Sequence, residues 1–370
     1  MGDTKIEWTE KTWNPIRARR KSDDSRGWYC ELVSEGCRNC YAEKMNRNTY
    51  FGNGLPYKPA TLPEVDLFLD DKILQQPLHW SKPQNVFPCS MTDLFGRWAK
   101  DEWLDRIFAV MALAQQHTFQ VLTKRPERMR DYLSGETAQR IAELIMLYRF
   151  TRDFNSDYEF DARDADLDRW PLPNVHLGTS VENQKTADER IPLLLQTPAA
   201  VRWISAEPLL GPVDLRNLKD GTFNGLDGID YEDIGDIRDA GILSKSEIPK
   251  LDWLVCGGES GPKARPMHPD WVRGLRDQCV SAGIPFFFKQ WGGWANQGEC
   301  DDPCGRCVMA LRSWNGTEWR GSELTGTDWK VGHQTGALQL HPVGKKAAGR
   351  LLDGREWSEY PKAKSATAKV

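Results

Sequence analysis

Seven short apolar segments recur along the chain, each ending in a polar or glycine-rich tip: 12–16, 85–89, 119–123, 174–178, 201–205, 253–256 and 285–289. Short runs dominated by Val, Ile, Leu, Phe and Trp read as buried parallel strands. Helical patterns lie between them. Trp103, Ile107, Val110, Met111 and Ala114 fall at helical spacing, as do Trp271, Leu275 and Cys279 after a cap predicted at Asp270. Strand and helix thus alternate about six times, which requires right-handed βαβ crossovers.

Two closures satisfy such an alternation, an open doubly wound sheet and a full or partial (β/α) barrel. A doubly wound nucleotide fold carries its glycine-rich turn after the first strand, and none is found there. Polar residues instead gather at nearly every strand end: Ser90–Asp93, Thr123–Arg125, Thr179–Glu182, Ser205–Glu207, Gly257–Ser260 and Lys289–Gln290. A barrel builds its active site from the ends of many strands, so the expected fold class is α/β, a partial or full TIM-like barrel over residues 1–291. Stretches 151–170 and 216–250 interrupt the pattern as rim excursions. Residues 292–361 read as a small irregular extension rich in Cys, Trp and Gly, and 362–370 as a mobile basic tail.

Composition narrows the setting. The chain has 370 residues, a formal net charge of −4 and no apolar run able to span a membrane, so a cytoplasmic protein is expected. An acidic balance excludes a purely electrostatic nucleic-acid binder, although Arg17–Lys21 and Thr123–Arg130 are locally basic. Sixteen tryptophans could serve core packing or stacking on a ring-bearing ligand. No Ser/His/Asp grouping, phosphate-binding loop or paired-histidine zinc motif occurs, and His176, between Val175 and Leu177, belongs to the wall.

The chemistry lies in the cysteines. Six of nine fall in two tight clusters, a distribution that favours metal ligation over disulfides in a reducing compartment. Cys30, Cys37 and Cys40 follow the first predicted strand. Three soft thiolates select zinc, copper(I) or an iron–sulfur cluster and leave one coordination position open. A helix is expected to start at Tyr41, where its N-terminus would favour thiolate charge. Cys300, Cys304 and Cys307 form a second trio after the last strand. It reads as an auxiliary site for zinc or a second cluster, with His333 or His341 as a possible fourth ligand.

Taken together, Thr12–Pro15, Gly36–Glu43, Ser90–Phe95, Leu122–Arg128, Gly178–Glu182, Ser205–Leu209, Cys256–Gly261, Phe288–Gly292 and Gly344–Arg355 resemble the bacteriophage three-cysteine-motif proteins. These are phage and prophage proteins of largely unassigned function. That family is in turn similar to radical S-adenosylmethionine enzymes, with spore photoproduct lyase among the nearer relatives. The resemblance implies a barrel of the radical S-adenosylmethionine type in which Cys30, Cys37 and Cys40 hold a 4Fe-4S cluster. S-adenosylmethionine would complete its coordination, and one electron from a donor protein would release a 5′-deoxyadenosyl radical. The usual motif in those enzymes spaces its cysteines three and then two residues apart. Here the first gap is six, and an insertion from Ile16 to Tyr29, whose basic start could touch phosphate, precedes Cys30.

Within that frame the other strand tips acquire expected roles. Gly257 and Gly258 would let backbone approach a cofactor, or close a tight turn, and Glu259 would receive an amino or hydroxyl group. Ser180, Glu182 and Glu207 would contact ribose or methionine, or stabilise loops by hydrogen bonds. Lys124, Arg125 and Lys289 would hold a carboxylate or phosphate, and Tyr41, Ser90 and Asp93 complete the cofactor-binding set. Cys89 is a fourth ligand, a hydrogen-atom donor or an inert core thiol. The resemblance implies a nucleotide or nucleic-acid substrate in phage DNA metabolism or modification. The competing expectation is a zinc-stabilised nucleic-acid-binding protein without catalysis, its Trp and Arg tips stacked on bases.

Overall fold

The computed structural model describes residues 4–154, 170–221, 223–230, 249–296, 309–314, 319–324 and 338–362. Its centre is a seven-stranded, wholly parallel sheet of Lys11–Trp13, Asn85–Pro88, Thr118–Thr123, Val175–Ser180, Val201–Ala206, Trp253–Gly257 and Phe286–Gln290. These strands lie side by side in chain order, with no reversal. A doubly wound sheet must reverse its order at a switch point, so this topology is that of a barrel wound in one sense and left open. All seven predicted strands are present.

The sheet curls, and the packing inside it shows why. The Trp8 ring lies 5.0 Å from Phe87 on the second strand, 5.1 Å from Trp203 on the fifth and 6.4 Å from Trp253 on the sixth. One side chain can touch strands so far apart in the order only if the sheet bends around it. Trp8, Phe87, Trp203, Trp253, Val255 and Phe287 form this inner cluster. The large aromatics on the concave face therefore pack the core, and Trp203 and Trp253 are fully buried.

The larger apolar cluster lies between the convex face and the helices. Helix Asp101–Leu113 buries Ile107, Val110 and Met111, with Ala114 just past its end, as the periodicity predicted; Trp103 is only partly buried, and Leu104 and Phe108 join the inward face. Helix Gln184–Leu195 is opened by a reciprocal capping box between Asn183 and Thr186. Helix Pro269–Ala282 corrects one expectation: its cap is His268, whose ring accepts from the Asp270 amide, and Asp270 sits in the first turn.

Two further features depart from the sequence reading. The extension, expected to be irregular, carries a four-stranded antiparallel sheet of Trp294–Asn296, Leu338–Pro342, Met309–Trp314 and Trp319–Leu324 in that spatial order. The chain then returns to the barrel rather than ending apart from it. The Phe288 amide donates to the Trp357 carbonyl at 2.9 Å, the Trp253 indole donates to the Glu359 carbonyl at 2.8 Å, and the Tyr360 ring stacks 5.4 Å from that of Trp253. The exposed edge of the seventh strand is covered in this way. Residues 155–169 and 231–248, which contain most of the two predicted excursions, lie outside the described residues, as does the predicted tail beyond 362.

Candidate functional site: a cysteine loop across the mouth of the half-barrel

The first strand ends at Trp13 and is followed by Asn14, which is buried because its side chain joins two strand tips. Its amide donates to Ser90 Oγ at 3.1 Å, and its carbonyl accepts from the Met91 backbone at 2.9 Å. The insertion that follows is a small antiparallel sheet, with Ile16–Arg20 between Arg26–Gly27 and Val65–Leu69. Its basic start is already engaged within the protein. Arg17 lies 4.5 Å over the Trp28 ring, Arg19 pairs with Asp24 and Asp66, Arg20 pairs with Asp23, and Lys21 donates to the Pro63 carbonyl.

The three-cysteine loop is then fastened to the second strand's exit. Thr92 Oγ donates to the Tyr29 carbonyl at 2.5 Å, and the Tyr57 hydroxyl to the Met91 carbonyl at 2.6 Å. Cys37 closes a one-turn 3-10 helix, Glu35–Cys37, and Cys40 is the N-cap of helix Tyr41–Arg47, the start expected from the sequence. Asn46 on that helix is buried, and its carbonyl accepts from the Trp28 amide at 2.8 Å.

From there the loop reaches across the sheet. Ser34 Oγ donates to Glu182, just past the fourth strand, at 2.7 Å. The Asn39 amide donates to Glu259, just past the sixth, at 3.0 Å, and the Tyr41 hydroxyl donates to the Ser90 carbonyl at 2.7 Å. Arg265 forks onto Glu259 and also donates to the Glu35 carbonyl at 2.9 Å. A Cβ on Gly36 would sit 2.5 Å from the Glu182 carboxylate, so only glycine allows the approach. The thiol loop is thus held over the C-terminal ends of the sheet, the face where parallel barrels bind ligands.

Cys37 is buried, and Cys30 and Cys40 are partly buried beside Trp28, Tyr57 and Met91. Burial pushes the Cys30 thiol well up, with Asp93 adding to this, Arg125 opposing it, and Cys40 and Cys37 adding smaller contributions. Burial also raises Cys40, against the amides of Glu43 and Ala42. A bound metal would have to displace these protons. By its chemistry the donor set suits a thiophilic centre: three thiols on one loop, with Cys40 and Cys37 close enough to act on Cys30. Among the described residues, no group of three or more His, Cys, Asp and Glu side chains is gathered as a metal site. Cys300, Cys304, Cys307 and His333 lie outside the described residues, and His341 falls on the strand Leu338–Pro342.

The other predicted residues separate into two groups. In the mouth stand two carboxylates, each held by cations. Glu182 is fully buried between Lys124 and Arg190, the latter at 3.0 Å. Burial alone would raise its carboxyl, but Lys124 and Arg190 outweigh this and hold it below the ordinary carboxylate range. Glu207 accepts from Lys289 at 2.7 and 2.9 Å, and both remain partly exposed. Ser180 is buried at the fourth strand's tip.

The remaining predicted residues serve the scaffold. Asp93 accepts from Thr123 Oγ at 2.6 Å, from the Lys124 and Phe95 amides at 3.0 Å each, and from Arg125 at 2.8 Å, which ties the second strand's exit to the third. Arg125 also lies 4.8 Å over Trp98 and donates to the Glu31 carbonyl at 3.3 Å, beside Cys30. A Cβ on Gly258 would fall 2.0 Å from the Trp291 carbonyl, so the close backbone neighbour at Gly258 is the protein itself. Gly257 lies against Lys289 and Glu207. Glu259 is committed to Arg265 and Asn39, which hold it below the usual range despite its burial. Cys89 is a core thiol, raised by burial, at φ 55°.

Ser34, Asn39, Arg190 and Arg265 hold this arrangement together and were not predicted. Only Arg190 carried a sequence signal, since it lies on the helix that leaves the fourth strand, eight residues past Glu182. A cavity of about 280 Å³ lies elsewhere, on the helical layer between Ala112, Ile141, Ile145, Arg149, Trp170 and Leu172. It shares no residue with the mouth.

Fold and site together define a parallel α/β half-barrel with a three-thiol loop across its C-terminal face. The chain belongs to the family described as protein of unknown function (DUF5131), whose model matches residues 3–361. No curated protein and no solved structure matches it.

Proposed function

We propose that the protein is a radical S-adenosylmethionine-type iron–sulfur enzyme, with a 4Fe-4S cluster on Cys30, Cys37 and Cys40, that acts on a nucleobase or nucleotide in phage DNA metabolism or modification. The observation that carries the reading is the bonding of the three-cysteine loop to Glu182 and Glu259, which holds soft ligands over the strand ends of a half-barrel. When bound, the cluster and S-adenosylmethionine would supply one-electron cleavage of a carbon–sulfur bond. The protein's own part is binding and enclosure. The Glu207 and Lys289 pair, partly exposed beside Gly257, offers an acceptor and a donor for the charged amino and carboxylate ends of such a cofactor. Glu182, saturated by Lys124, Arg190 and Ser34, fixes the loop rather than binding ligand.

The test is reductive turnover. Anaerobic protein is reduced with dithionite in the presence of S-adenosylmethionine, and 5′-deoxyadenosine is quantified beside Cys37→Ala. Release by the wild type that the variant lacks supports the reading. A colourless zinc protein releasing none would replace it with a zinc-stabilised nucleic-acid-binding protein.

A further inference from the structure

Six of the ten large apolar side chains exposed among the described residues belong to one stretch: Leu32, Val33, Tyr41, Met45, Tyr50 and Phe51. Tyr50 is 86% exposed and Phe51 54%, and their rings meet edge to face at 4.9 Å. Helix Tyr41–Arg47 turns Ala42 and Asn46 inward, so Tyr41, Lys44 and Met45, at i, i+3 and i+4, share its outer face. The turn bearing the two rings is bonded directly to the end of that helix, through Phe51 and Gly52 amides donating to the Asn48 carbonyl. The helix that separates this turn from Cys40 is seven residues, or roughly 10 Å, long.

Charge on this strip runs against that of the chain. Arg38, Lys44, Arg47 and Lys58 are exposed and form no ion pair among the described residues, against only Glu35 and Glu43 in the same stretch. Over residues 32–58 the net is +2, four cations against two carboxylates, on a chain of net charge −4. Apolar residues in such numbers mark an interaction surface. Solvent-facing rings interleaved with unpaired cations match stacked bases joined by phosphates better than they match a protein's packed apolar core.

We infer that the strip formed by Tyr41, Lys44, Met45, Arg47, Tyr50 and Phe51 is the docking surface for a single-stranded nucleic-acid segment, which it leads to the mouth of the half-barrel. This rests on the nucleobase reading proposed above. Rings at the helix end would stack on bases, while Lys44 and Arg47 would neutralise phosphates, without base-specific contacts.

The probe is a short fluorescein-labelled oligothymidylate, its anisotropy measured with the full-length protein across a salt series. Wild type is expected to bind with an affinity that falls as salt rises. Tyr50→Ala with Phe51→Ala should weaken binding about tenfold or more. Lys44→Gln with Arg47→Gln should lower the salt slope by about 1.4. All four positions are exposed, so folding and iron content should be unchanged. Absence of binding by the wild type, as for a surface built to take an acidic protein, overturns the inference, and so do variants that bind as the wild type does. Variant-sensitive binding by a wild-type protein devoid of iron upholds the surface and overturns the enzymatic reading, so the two failures are distinct.

Discussion

Replacing Glu182 with glutamine removes one charge and almost no volume from the most enclosed polar group at the strand ends. The carboxylate is fully buried, and its partners Lys124 and Arg190 keep 19% and 7% of their side-chain surface. The variant would leave two cations with little water and no counter-charge. Breaking a buried pair from one side costs about 3–5 kcal/mol, and partial exposure of Lys124 places this case near 3 kcal/mol. At a urea slope of about 3 kcal/mol per molar, the midpoint should fall by roughly 1 M at neutral pH. Tryptophan fluorescence suits the assay. The pH dependence has a definite sign. Lys124 and Arg190, overcoming burial, hold the folded carboxyl below its ordinary value of 4.5. Its stabilising contribution is therefore complete above that value and is lost as pH falls through the folded one. The gap between wild type and Glu182→Gln should narrow as pH drops from about 5 towards 3. A gap below about 1 kcal/mol at pH 7, or one that does not change with pH, would show that Glu182 is not the charge that holds the mouth together.

Three further outcomes are expected. Gly178→Ala should cost about 1–3 kcal/mol, because its methyl would fall 2.5 Å from the Trp203 ring. Adding Trp203→Phe should recover part of that loss in a double-mutant cycle, and additive costs would contradict the contact. Lys289→Met should weaken S-adenosylmethionine binding about tenfold by calorimetry, since it removes the donor facing Glu207. Unchanged affinity would rule out this pair as a cofactor contact. Asp353, whose bonds to Arg273 and Arg276 bring its carboxyl down to about 2, is exposed, so Asp353→Asn should cost below about 1 kcal/mol, a cost that high salt erases. The contribution is present above the ordinary value of 3.8 and lost as pH falls towards 2. A cost unaffected by salt would contradict a screened surface network.

The strands were legible because a sheet covered on both faces needs continuous apolar runs, and those runs stand out from the polar tips. Their order in the sheet followed from the same observation, since polar clusters at every exit favour one-way winding. Fastening of the cysteine loop was not legible. Ser34 and Glu182 are 148 positions apart, and Asn39 and Glu259 are 220 apart. Each pair is joined only by the curl that brings their strand ends together. Asp93 looked like a ligand contact because a carboxylate at a strand exit is equally suited to bonding a neighbouring backbone, which it does here. Gly258 misled for a similar reason, since close approach to backbone and close approach to a cofactor select the same residue. In the extension, Asn315-Gly316 between two Trp-bearing runs was an available hairpin signal, and the strands Met309–Trp314 and Trp319–Leu324 on either side do pair antiparallel.

The most direct measurement on the central claim is the metal content of anaerobically prepared protein, with iron, sulfide and zinc counted per chain in wild type and in Cys37→Ala. The account predicts about four iron and four sulfide at the loop site of the wild type, lost in the variant with the fold retained. Zinc without sulfide in the wild type, or iron and sulfide unchanged by removal of Cys37, would contradict it.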